Sequence, residues 1–122
     1  MDNFFEIKNM IEGLMNTLDE GLSHARTQLM QLRYEEALVL FTDSMEAIVA
    51  VEKSLVIIEN EVGVNSIDVL AENLRSSMTQ VLESYERKEE SKIESHIMDE
   101  VMYNFMKWRE VIECILINAR LN

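Results

Sequence analysis

Turn-forming residues are almost missing from this sequence. Its 122 residues include no proline and only three glycines, Gly13, Gly21 and Gly63. A sandwich or barrel of many short strands needs such residues at turn after turn, so strands are excluded as the main element. Hydrophobic residues make up 48% of the chain, too many for a disordered one. What remains is an all-helical domain.

The apolar residues are spaced for that outcome. At 100° per residue Ile97, Val101, Phe105, Trp108, Ile112, Ile115 and Ala119 share one arc, the seam of a last helix against which others pack. A first stripe runs through Phe4, Ile7, Ile11, Leu14, Leu18, Leu22, Ala25, Leu29 and Leu32. The arc then moves to Tyr34, Ala37, Leu38, Phe41, Met45, Ile48, Val49, Leu55 and Val56, and that change of seam predicts a turn near 32–34. Gly63 and Ser66 supply a C-terminal glycine and an N-cap for the next break. A third seam joins Ile67, Leu70, Ala71, Leu74, Met78, Val81, Leu82 and Tyr85, and carrying it further would bury Glu89, Lys92 and His96. A break therefore belongs within Arg87–Ser91. The expected helices lie near 3–32, 34–61, 66–87 and 92–120, in one domain spanning 1–122. Short connections make neighbours antiparallel, giving an up-down-up-down four-helix bundle.

The formal charge is −12, from 23 acidic and 11 basic residues. Such a surface repels phosphate backbones and anionic headgroups, so neither nucleic acid nor membrane is the expected partner. No run approaches the roughly 18 apolar residues of a membrane span, and the acidic-polar amino end does not read as a signal peptide. With Cys114 as the single cysteine, no internal disulfide forms, and a cytoplasmic location is expected.

No catalytic constellation is legible: there is no nucleophile elbow, phosphate loop or Glu-x-x-His motif, and no cofactor is expected. His24 and His96 lie off the core seams, one turn from Glu20 and Glu100. Together with Glu52 they are the raw material for an alternative reading, a metal-binding carboxylate bundle. Glu52 falls inside the apolar arc of the second helix, and Glu59 repeats its position seven residues on. A carboxylate buried there requires a partner, either an internal arginine or a bound cation or basic side chain from outside. Cys114, at the edge of its arc, reads as a small packing residue.

The last helix has more apolar residues than one face can use. From Ile97 to Ile117, 14 of 21 positions are apolar, where a single core face needs roughly nine or ten. Met102, Met106 and Ile117 fall among Asp99, Arg109, Glu110 and Glu113, flanked by Tyr103 and Cys114. That pattern points to a surface for a protein partner or for a homodimer, with methionine supplying adaptability. A further alternative is a single tetratricopeptide-like peptide-binding unit, read from RYEEALVLF within residues 21–48.

Two groups of residues carry a family resemblance. They are GL-x-x-A with EEAL-x-LF-x-D-x-x-EAI in the first half, and Leu82, Ser84 and Glu86 leading to IMDEVMYNFMKW in the second. On these the chain resembles small uncharacterised bacterial helical-bundle proteins and, more distantly, the end of flagellar export chaperones. The resemblance implies a bundle that holds a partner's helix and transfers no catalytic residue. Lys92 stands where that pattern has an acidic residue.

Overall fold

The computed structural model describes residues 2–62, 67–88 and 98–121, with side chains for 4–56, 67–88 and 98–117. Among the described residues the fold has four helices: α1 (Asp2–Met30), α2 (Tyr34–Val62), α3 (Ile67–Glu86) and α4 (Met98–Leu121). Each buries residues at alternating steps of four and three. In α1 these are Ile11, Met15, Leu18, Leu22, Ala25 and Leu29, and in α2 Ala37, Phe41, Ser44, Ile48, Val51 and Leu55. Ile67, Ala71, Leu74, Met78 and Val81 continue the rule in α3, and Met98, Val101, Phe105, Trp108 and Ile112 in α4. A spacing of 3.5 residues on average is that of helices coiling left-handedly around a shared seam.

Writing each seam as positions a and d of a heptad, position g faces one neighbouring helix and e the other. Gly21, at g of α1, lies against Ser44 of α2. Asn104, at g of α4, donates from Nδ2 to the Asn73 carbonyl of α3 (3.3 Å). On the e side, Arg109 of α4 meets Asp19 of α1 (3.3 Å), and Arg26 of α1 meets Asp99 of α4 (2.8 Å). Rising numbers in α1 thus pair with falling numbers in α4, so the two run antiparallel. Arg75 at e of α3 pairs with Glu52 at e of α2. The ring closes as an antiparallel four-helix bundle built from two tight hairpins, α1–α2 and α3–α4. α2 and α4 also touch across the middle, whereas α1 and α3 make no comparable approach among the described residues. In section the bundle is a rhombus with α2 and α4 on its short diagonal.

Small side chains let the hairpins close. Ser44, Ser54, Ser77 and Ser84 are buried at d or g, where a hydrophobic count does not look for them. Ser54 donates to the Ala50 carbonyl (2.9 Å) and Ser77 to that of Leu74 (2.7 Å), so these hydroxyls satisfy themselves on their own helices. Trp108 fills the centre, fully buried and tilted against Phe105 at 6.5 Å. Among the described residues its indole N–H finds no hydrogen-bond partner.

The first turn corrects a boundary. α1 stops at Met30, and Arg33 N–H donates to the Gln28 carbonyl (2.8 Å) while Leu32 N–H donates to that of Leu29 (3.0 Å). This is the Schellman arrangement, with Leu32 in the left-handed region at φ 63° where glycine is usual. Leu32, expected in the core stripe, is therefore 64% exposed. Val49 and Val56, also expected inside, are exposed, because the seam of α2 runs through Ser44, Val51 and Ser54 instead. α3 ends at Glu86, and the turn after it puts Lys88 at φ 60°, inside the stretch where a break was expected. The expected cap at Gly63–Ser66 and the start of the last helix near Lys92 lie outside the described residues. Among those described, no helix is long and apolar enough to cross a membrane.

Candidate interaction surface on the fourth helix

The seam of α4 fixes where its surplus apolar residues go. With Phe105 and Trp108 turned inward, Tyr103 and Met106 stand on the outer surface one turn apart, and both are exposed. Lys107 lies over the Tyr103 ring, 5.5 Å from its centre, a cation–π contact at the edge of the patch. Ile117 and Cys114 are exposed as well. Ile117 is eleven residues beyond Met106, about 16 Å along the axis, with Glu110 and Glu113 between them. The five residues thus do not form one continuous patch. Met102 departs from expectation most: at e, it is half-buried and packs on the core. Cys114 does not serve in packing, since position c points away from both neighbours.

Ile117 instead walls a groove between α1 and α4. This cavity, about 340 Å³, has a floor of Met15, Ile112 and Leu116 and a rim of Lys8, Glu12, Asn16, Arg109 and Glu113. Arg109 is fixed in the rim by Glu113 (2.8 Å), Asp19 (3.3 Å) and Asn16 Oδ1 (3.3 Å). Its hydrogen bond to Glu113 outweighs the opposing effect of burial, and with the charges of Glu113 and Asp19 it raises the guanidinium above its ordinary pKa. A second cleft of about 490 Å³, shallower and more open, runs between α2 and α3 past Met45, Glu72, Arg75, Ser76 and Thr79. Both openings follow the edges where one hairpin meets the other.

Glu52 has an internal partner. Its Oε1 accepts from Arg75 Nη1, and Arg75 Nη2 also reaches Glu72 at 3.2 Å. The two side chains are 26% and 31% exposed, so the carboxylate sits at the core margin with its charge matched. The side chain of Glu59 lies outside the described residues, as does His96. His24 is exposed, and among the described residues no three histidine, cysteine or acidic side chains gather as a ligand set. The segment read as a tetratricopeptide-like unit belongs to two helices of 29 residues each.

Sequence reasoning passed over Lys8. Stepping back from Ile11 by three and then four gives Lys8 and Phe4, so the lysine occupies an a position. The signal was available in the spacing but was masked by Ile7 beside it.

Compared with known proteins, residues 6–111 match the family model of a domain of unknown function, DUF8042. The match takes in Lys8, Glu52, Arg75, Tyr103 and Met106 and stops before Cys114 and Ile117. No curated protein and no solved structure matches the chain.

Proposed function

The chain belongs to the DUF8042 family, and from its own geometry we propose a non-enzymatic interaction module that holds a partner's amphipathic helix on the outer surface of α4. The observation that carries this reading is the exposed pair Tyr103 and Met106. A tyrosine offers a large apolar face with a polar tip, and a methionine adapts to varied contours, which together suit an amphipathic helix laid along α4. Asp99, Glu100 and Glu110 surround the pair on a chain of net charge −12, so a partner with basic flanks is favoured. A second copy would bring the same acids against the same acids, which makes a different partner the better fit than a homodimer.

The test is a titration with an amphipathic Leu/Lys helical peptide, followed through the backbone amide spectrum. Amides near 99–107 should shift, with affinity falling as salt rises. Tyr103→Glu with Met106→Glu should remove the shifts while the spectrum stays that of a folded bundle. Undiminished peptide binding by the double variant would refute the assignment.

A further inference from the structure

The cavity between α1 and α4 holds a lysine where the rest of the α1 seam places apolar side chains. Along α1 the a and d positions run Phe4, Lys8, Ile11, Met15, Leu18, Leu22, Ala25 and Leu29. A charged group at an a position lowers stability, and a methionine or leucine there would extend the core. The Lys8 side chain is only 15% exposed. Its ion partner, Glu12, stands 3.7 Å away, too far for a hydrogen bond.

The other charges of the cavity are placed differently. Glu12 and Glu113 are 51% and 54% exposed, at the rim and solvated, where water and salt screen them. Arg109 is engaged by Asp19, Glu113 and Asn16. The least exposed charged side chain of the cavity is therefore a cation, beside a floor of Met15, Ile112 and Leu116. A volume near 340 Å³ lies at the small end of ligand pockets.

We infer that this cavity binds a compact monocarboxylate with an apolar body, its carboxylate accepting from Lys8 Nζ and its body lying on Met15, Ile112 and Leu116. The lining sets the charge: with Lys8 and Arg109 against Glu12 and Glu113, one carboxylate displaces Glu12 from Lys8 toward solvent, while a second negative charge would be pushed against both acids. Dicarboxylates and phosphate esters are thereby disfavoured. The site lies apart from Tyr103 and Met106, so it stands or falls independently of the helix-holding surface.

Octanoate, 1-octanol and octylamine share one chain and differ in head group, which makes them a direct probe of the unmodified protein. Each is titrated into labelled protein, and the amide shifts are mapped. The expected order of affinity is octanoate, then 1-octanol, then octylamine, with shifts concentrated at residues 8–16 and 109–117. Lys8→Met should weaken octanoate by about tenfold or more while changing 1-octanol by less than about twofold. Octylamine binding as tightly as octanoate would show that the rim acids rule the cavity and would overturn the inference. So would shifts confined to other regions, or no saturation of octanoate below about 10 mM. A folded Lys8→Met that keeps full octanoate affinity has the same force.

Discussion

A Cβ placed on Gly21 would stand 3.2 Å from Oγ of Ser44, so these two residues set how closely α1 approaches α2. Gly13, on the same helix, has nothing within 4 Å of its would-be Cβ. Gly13→Ala should therefore deliver the full gain in helix propensity, about 1 kcal/mol, in denaturant unfolding. Gly21→Ala should deliver less, because part of that gain goes into moving Ser44. Adding Ser44→Ala to Gly21→Ala should recover the difference, and equal gains at the two glycines would show that the contact is not limiting.

Leu32 occupies a backbone conformation that disfavours a Cβ and contributes little burial in return. Leu32→Gly should raise stability by about 1 kcal/mol, seen as a thermal midpoint higher by a few degrees. A loss would mean that the added freedom of the unfolded chain outweighs the relief.

Removing one member of the Glu52–Arg75 pair leaves its partner at the core margin. Glu52→Ala or Arg75→Ala should cost about 1–2 kcal/mol, between the values for surface and buried pairs. Glu52→Met together with Arg75→Leu should cost less than either single change. A double-mutant cycle in urea measures the coupling.

Met102 and Met106 are one turn apart and differ in environment, which separates packing from surface. Met102→Glu should destabilise by about 1–3 kcal/mol, and Met106→Glu should stay within about 0.5 kcal/mol. Similar losses at both would place Met106 in the core and remove the basis of the proposed surface.

The all-helical fold and the four helices of the described residues were legible because apolar spacing and the near-absence of turn residues point the same way. The phase of α2 was not. Hydropathy favoured Val49 and Val56 over Ser44 and Ser54, but close approach to α1 rewards small side chains, and Ser54 bonds to its own helix. The turn at Leu32 carried no glycine and so no punctuation. Glu52 stood out in the sequence as a carboxylate within an apolar arc, whereas the identity of its partner, 23 residues away, required the fold. Tyr103 and Met106 could be placed outside once Phe105 and Trp108 were placed inside. Met102 could not, since position e is inner or outer according to how near the next hairpin stands.

The e positions draw a plane through the molecule. Every ion pair between helices among the described residues crosses that plane, from Glu52–Arg75 on one side to Asp19–Arg109 and Arg26–Asp99 on the other. Within each hairpin the contacts between its two helices are close, local in sequence and free of ion pairs among the described residues, the kind that form early and part late. Opening of the native state should therefore follow a cleavage plane. Amides that face a hairpin partner would exchange their hydrogens last, those along the two clefts first, and added salt would hasten the parting of the halves without loosening either one.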